Sequence, residues 1–214
     1  MNIALIGGTG FVGSAVLSEL LRRGHKVTAL ARTPSKLAEQ PGLKVVKADV
    51  LDATQVEAAV RGTDAVVDAY NPGWKEENIH DLFLQGTRAI YDGVRASGVK
   101  RLLVVGGAGS LYAAPGLQIV DTPDFPAAYK QGALAAREAL NLIRKEDSLE
   151  WTFLSPPILL TPGDRQGRPY RVEADVPLMD GDKPGTITVA DLALAIVDEI
   201  EQGKQIRKRF TVAY

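Results

Sequence analysis

The chain has 214 residues, 45% of them apolar, and a formal net charge of −1 at pH 7. That is enough for a substantial core without a metal or disulfide staple, and too little positive charge for a broad nucleic-acid footprint. With no cysteine, disulfides, thiol catalysis and Cys-based zinc or iron–sulfur sites are excluded, and the two histidines, His25 and His80, are too few for a His-rich metal site.

Ile3-Ala4-Leu5-Ile6 is an apolar run that predicts a buried first strand. Starting at residue 2, it leaves no room for a charged n-region and a cleavable signal. No later run approaches the ~18 apolar residues of a membrane span, so the expected location is cytoplasmic. Gly7-Gly8-Thr9-Gly10-Phe11-Val12-Gly13 follows directly. A strand, a tight glycine turn and a helix present a helix N-terminus, with its unpaired N–H groups and partial positive charge, to an anion such as a pyrophosphate. Gly7 would allow the turn, Gly10 the approach of backbone to phosphate, and Gly13 the close seating of helix on strand. The spacing is G-x-x-G-x-x-G, one residue wider at the start than the usual dinucleotide pattern. An ordinary tight turn would show the same glycines; a buried-type strand before and an amphipathic helix after favour the nucleotide reading.

Residues 11–23 put Val12, Val16, Leu17, Leu20 and Leu21 on one helical face, with Gly24 closing the helix. His25 is expected at the surface. Lys26–Ala31 reads as the second strand, and the residues after it face the adenosine ribose in dinucleotide folds. An acidic residue there would suit the 2′-hydroxyl of NAD; Arg32 stands there instead, with Lys36 four residues on. A guanidinium suits a 2′-phosphate and can also stack on adenine, which favours NADP(H) over NAD(H); a solvated loop arginine is the plain alternative. Leu43–Lys47 is the third strand. Asp49, at its end, could accept a bond from the adenine amino group, and Asp52 is placed to cap a helix over 54–60.

Asp64–Asp68 is the fourth strand, ending in Ala69-Tyr70-Asn71 and then Trp74, two aromatics at the ligand-facing edge that would line a pocket for a flat substrate or simply pack the loop. A long helix is expected over 78–96, with His80 on its exposed face. Arg101–Val105 is the fifth strand; Gly106 and Gly107 after it suggest close approach to the ribose or nicotinamide. Residues 113–128, with three prolines, read as loop and 129–145 as helix. Leu149–Ser155 is a sixth strand, 190–202 a helix and 209–213 a terminal strand. Residues 158–186, rich in Gly, Pro, Asp and Arg, are too long for an idle connection and are expected to form a small substrate-side cap. The expected fold is a single doubly wound α/β domain over 1–214, with a mostly parallel sheet in the order 3-2-1-4-5-6 and a seventh strand beyond.

The motif GGTGFVG, Arg32, the DVLD at 49–52, the DAVVDA at 64–69 and the GVKRLLVVGGAGS at 98–110 together resemble the atypical short-chain dehydrogenases. More narrowly they are similar to the NAD(P)H-binding, NmrA-like proteins that include flavin reductases of the biliverdin reductase B type. WTFLSPP at 151–157 and TVADLA at 188–193 fit the C-terminal part of that family. The resemblance covers essentially the whole chain and implies a Rossmann fold. It implies that Gly7, Thr9, Gly10, Phe11 and Val12 hold a pyrophosphate, Arg32 a 2′-phosphate, Asp49 and Val50 the adenine, and Ala69 to Asn71 the nicotinamide-side ribose.

Active short-chain dehydrogenases add a serine after the fifth strand and a Tyr-x-x-x-Lys on the next helix. Tyr129 is the candidate tyrosine, but Ala133 stands four residues later, and Lys130 would point about 100° away around a helix. The serine position aligns with Ala108 or Gly109, leaving Ser110 displaced. Alcohol–ketone chemistry by that route is therefore not expected. Hydride transfer to a flavin, quinone or similar flat acceptor needs positioning more than a protein acid, with Tyr70, Trp74, Tyr112 and the 158–175 segment as the stacking pocket. The competing class is a non-catalytic NADP(H) sensor acting through a protein partner. An epimerase or dehydratase on a nucleotide sugar fits less well, given the missing lysine and the short C-terminal region. A small-molecule acceptor is the expected partner, with no nucleic acid, no membrane and no metal; a homodimer or protein partner stays open.

Overall fold

Strands buried on both faces form the centre of the computed structural model, which describes residues 1–214. β1 (Asn2–Ile6), β4 (Ala65–Asp68), β5 (Arg101–Val105) and β6 (Glu150–Leu154) carry almost unbroken buried runs, the signature of parallel strands covered by helices on both sides. β2 (Lys26–Ala31) and β3 (Leu43–Lys47) extend the sheet on one side. On the other side lie β8 (Lys208–Ala213), parallel to β6, and β7 (Arg171–Glu173), antiparallel to β8. The order is β7-β8-β6-β5-β4-β1-β2-β3 in one eight-stranded sheet.

Helices cover both faces. α2 (Ala53–Val60), α3 (Ile79–Ser97) and α4 (Ala127–Ile143) bury Val56, Ile90, Val94 and Leu140 against Ile6, Val66 and Val104. α1 (Phe11–Arg22) and α5 (Val189–Gln202) bury Leu17, Leu20, Leu192 and Ile196 against Ile3, Leu5 and Val67. Local chemistry sets the ends. Asp52 caps α2, accepting from the Thr54 amide at 2.9 Å and the Gln55 amide at 3.4 Å. α3 ends at Gly98, whose φ of +85° lies in the left-handed region that a glycine reaches freely.

β1 pairs with β2 on one side and β4 on the other, and chain progression diverges from it. The register places Ile6 opposite both Leu30 and Asp68, and Asp68 opposite Val104. The ends of β1, β2, β4 and β5 therefore open onto one crevice, the switch point where α/β sheets bind ligands.

The structure differs from the sequence-based expectation in three stretches. His25 is buried, not at the surface: Nε2 lies 2.8 Å from Glu201 and Nδ1 3.3 Å from the Met1 amine. The end of α1 packs on α5, where Arg23 also meets Asp198 and Glu201. The Pro-rich stretch after β5 holds a two-stranded turn, Tyr112–Ala114 with Leu117–Gln118. Residues 158–188 contain five short strands. Leu159–Thr161 pairs with Thr186–Thr188, Met179–Asp180 with Lys183–Pro184, and β7 closes the sheet edge. Two- and three-residue strands are too short to show a period of two, so only their distant partners define them.

Arg101 at the start of β5 is buried with Glu199 of α5, Nη2 to Oε1 at 2.9 Å, and donates to Thr152 Oγ1 at 2.8 Å. Glu199 also accepts from the Gln205 amide at 2.9 Å. Removing one partner of such a pair leaves a buried charge uncompensated. Glu199→Ala is expected to cost about 3–5 kcal/mol of unfolding free energy in urea titrations, whereas a loss below about 1 kcal/mol would show that Arg101 finds other compensation.

Candidate functional site

A cleft of about 900 Å³ runs across the ends of β1, β2, β4 and β5. The β1–α1 turn forms its middle. Gly7 has φ +77°, and a Cβ there would lie 2.3 Å from the Ala69 carbonyl oxygen. A Cβ on Gly13 would fall 2.0 Å from the Gly7 carbonyl oxygen, so α1 sits directly on the turn. Gly13 is behind the cleft, while Gly7, Thr9, Gly10, Phe11 and Val12 line it. Gly10 is the N-cap of α1. No side chain caps the helix and no acidic residue lies in its first turn. The opening amides of α1, which have no intrahelical acceptor, therefore suit an anion in the cleft. A dinucleotide diphosphate fits this cradle.

Beyond β2, Arg32 and Lys36 are exposed and line one end of the cleft with Leu30, Thr33, Ala48 and Val50. Asp49, expected at the adenine, is outside the lining. Its carboxylate accepts from the Leu51 amide at 3.0 Å and its amide donates to Gln55 Oε1 at 3.0 Å, so it shapes the turn into α2.

At the end of β4, Ala69, Tyr70 and Asn71 all line the cleft. The Tyr70 ring rests on α3 where a Cβ at Gly86 would come within 2.3 Å, and its hydroxyl donates to the Leu82 carbonyl at 3.1 Å. Burial pushes the Tyr70 hydroxyl up to about 12. Asn71 accepts from the Gly73 amide at 2.8 Å, which fixes its side chain. Below them Asp68 is buried, accepts from the Tyr70 amide at 2.9 Å, and is raised by burial to about 6.

Gly106 and Gly107 line the far half of the cleft; a Cβ on Gly106 would be 2.1 Å from the Phe153 ring. Trp74 and Tyr129 also line it, edge to face with ring centroids 5.2 Å apart. Two expected residues do not reach it. Ser110 is 1% exposed; its hydroxyl donates to the Gly107 carbonyl at 3.4 Å and accepts from Arg209 Nη1 at 3.3 Å. Tyr112 lies in the short hairpin beside Gln118, its amide donating to the Asp175 carbonyl at 2.9 Å. The position four residues after Tyr129 is Ala133, which lines the cleft, and Lys130 does not.

The sequence reading missed Ile119 and Phe125, which also line the far half. Two large apolar residues stranded in a Pro-rich loop are the signal that would have found them. Of 158–186 only Ile158, Leu159 and Leu160 line the cleft. The remainder covers α5 and the sheet edge: the Gln166 amide donates to Asp191 at 2.9 Å and the Tyr170 hydroxyl to Asp198 at 2.7 Å.

The family described as NAD(P)H-binding matches residues 7–202, nearly the whole chain and all of the glycine turn. This chain belongs to that NAD(P)H-binding family. It is 35% identical over 214 residues to the uncharacterized protein YwnB of Bacillus subtilis (strain 168), covering 99% of this chain and 98% of that one. Two solved structures share the whole fold. A candidate epimerase from Bacteroides thetaiotaomicron has a TM-score of 0.92 at 43% identity, over 100% of this chain and 96% of its own. A candidate NADH-flavin reductase from Streptococcus pneumoniae TIGR4 has a TM-score of 0.87 at 30% identity, over 100% and 99%. A nicotinamide dinucleotide is thus the cofactor class of this NAD(P)H-binding domain. No helix is long and apolar enough to cross a membrane.

Asp68 gives the site a pH signature. A carboxyl raised from 3.8 to about 6 in the folded state holds its proton more tightly there than in the unfolded chain. Its stabilising share is full below about pH 4 and is lost as pH rises through about 6. Asp68→Asn keeps an acceptor for the Tyr70 amide and removes the charge. Its stability relative to the parent protein should improve by on the order of 2–3 kcal/mol between pH 4 and pH 8 in urea unfolding; a pH-independent difference would show that Asp68 titrates normally.

Proposed function

We propose that this protein is an NADP(H)-dependent reductase that reduces a flat acceptor of the flavin or quinone type. The observation that carries the reading is the composition of the cleft's far half. It has aromatic and aliphatic walls at Trp74, Tyr129, Phe125 and Ile158, and it lacks the serine and lysine of the usual proton-transfer set. Ser110 is buried beside Arg209, and Ala133 stands where a lysine would be. Alcohol–ketone exchange needs those groups; reduction of a conjugated ring needs chiefly alignment and exclusion of water.

In this reading the main chain of Gly7, Thr9, Gly10, Phe11 and Val12 binds the diphosphate, and Gly13 keeps α1 close enough to do so. Arg32 and Lys36 bind the 2′-phosphate, and Ala48 and Val50 flank the adenine. Ala69, Tyr70 and Asn71 hold the nicotinamide-side ribose, over a floor made by Gly106 and Gly107. The bound nicotinamide supplies a hydride, which with one solvent proton completes a two-electron reduction of the acceptor. In the same reading Trp74 and Tyr129, which both line the far half, contact the acceptor, Trp74 by stacking and Tyr129 through its hydroxyl.

The relative described as a candidate NADH-flavin reductase supports this class of chemistry. The missing serine and lysine also favour a second reading, a non-catalytic NADP(H) sensor acting through a protein partner.

Steady oxidation of NADPH in the presence of flavins or quinones is the expected result. No turnover across such a panel, with NADPH binding intact, would favour the sensor. Arg32→Asp is expected to weaken NADPH binding by about 1.5–3 kcal/mol while sparing NADH. Fluorescence titration of both dinucleotides checks this, and an unchanged preference would remove Arg32 from the 2′-phosphate site.

A further inference from the structure

We infer that the acceptor is an uncharged molecule, and that the cleft discriminates against acceptors carrying a phosphate or carboxylate. This rests on the reductase reading and narrows it to a substrate class.

The cleft is electrically lopsided. Arg32 and Lys36 are the only charged residues in its lining, and both lie at the end formed by β2. The far half has none. Its floor is small (Gly107, Ala108, Gly109, Gly132, Ala133 and Ala136) and its walls are Trp74, Tyr129, Phe125, Ile158 and Leu159. These small residues let the walls close in: a Cβ on Gly132 would come 2.6 Å from the Trp74 ring, which rests on it, and one on Gly109 would come 3.0 Å from Ala133 Cβ. Such a slot takes a planar apolar body.

No cation lines the far half. Lys75, Asp124 and Lys130 adjoin lining residues in sequence but do not line the cleft. Arg137 is engaged with Asp121 at 2.7 Å and with Gln118 at 3.1 Å. The start of α4 is the nearest positive dipole. Its N-cap, however, is Pro126, Ala127 and Ala128 are outside the lining, and the Tyr129 amide already donates to the Pro126 carbonyl at 3.0 Å. The rim is apolar too, with Trp74, Tyr129, Ile158 and Leu159 between 41% and 54% exposed. An anion entering here would give up hydration and gain no partner, a cost that a neutral ring does not meet.

Riboflavin and FMN share a ring system and differ by one phosphate, so they isolate this effect. Flavin fluorescence quenching by the protein saturated with NADP⁺ reads binding without turnover. Riboflavin should bind at least about tenfold more tightly than FMN, the scale of one unmade charge-assisted contact. Leu159→Lys places a cation on the rim and should bring the two affinities to within about threefold. Equal or tighter binding of FMN by the parent protein, no binding of either flavin, or a Leu159→Lys variant that leaves the ratio unchanged would each overturn the inference. NADPH oxidation is then followed with the same two flavins. A riboflavin preference in binding with no oxidation of NADPH would overturn the reductase reading and leave the uncharged pocket standing.

Discussion

The contact between the β1–α1 turn and the first turn of α1 governs everything else at the site. With no side chain at position 13, the helix comes down onto the Gly7 carbonyl, where a Cβ would be only 2.0 Å away. Any larger residue must lift the helix, and with it the row of amides that faces the cleft. The positive φ of Gly7 is the other half of the same device, since its Cα is pressed against the Ala69 carbonyl. The turn is therefore built by backbone held at van der Waals range, which is why it needs glycine and not a particular side-chain chemistry.

The sheet register distributes chemistry around that cradle. Because Ile6 is level with Leu30 and Asp68, and Asp68 with Val104, the segments leaving β2, β4 and β5 emerge at one height. Cations arrive only from the segment after β2, while the aromatics of the far half come from the loop after β4, from the loop before α4 and from α4 itself, and small residues from the loop after β5 and from α4. The polarity of the cleft thus follows from which strand end sits on which side of the switch point. Asp68 is the odd member: a buried carboxyl that holds the Tyr70 backbone through a single hydrogen bond, at an electrostatic cost that grows with pH.

The far half also shows how a distant contact removes a group from use. Arg209 on β8 is buried and paired with Asp175, and its guanidinium donates to Ser110. Asp175 in turn accepts from the Tyr112 amide through its carbonyl. This network draws both Ser110 and Tyr112 toward the 171–178 segment and away from the cleft. It also ties down part of 158–186, leaving only Ile158 to Leu160 at the ligand side.

Much of this was legible in the residues themselves. The buried runs of β1, β4 and β5, the glycine turn, the Asp52 cap and the glycine closing α3 all act within a few residues of one another, so their chemistry is readable as local pattern. The parallel order from β3 to β6 follows from the same alternation of strand and helix. What the sequence could not show depended on partners far along the chain. Ser110 and Arg209 are 99 residues apart, and His25 and Glu201 are 176 apart. Asp49, expected at the adenine, makes its hydrogen bonds to Leu51 and Gln55 in the turn into α2; β7 looked like loop until β8 offered it an edge. Local chemistry determined the cradle and the cationic end of the cleft. Only long-range packing decided which polar groups were consumed inside the protein, and so which side chains were left to face a ligand.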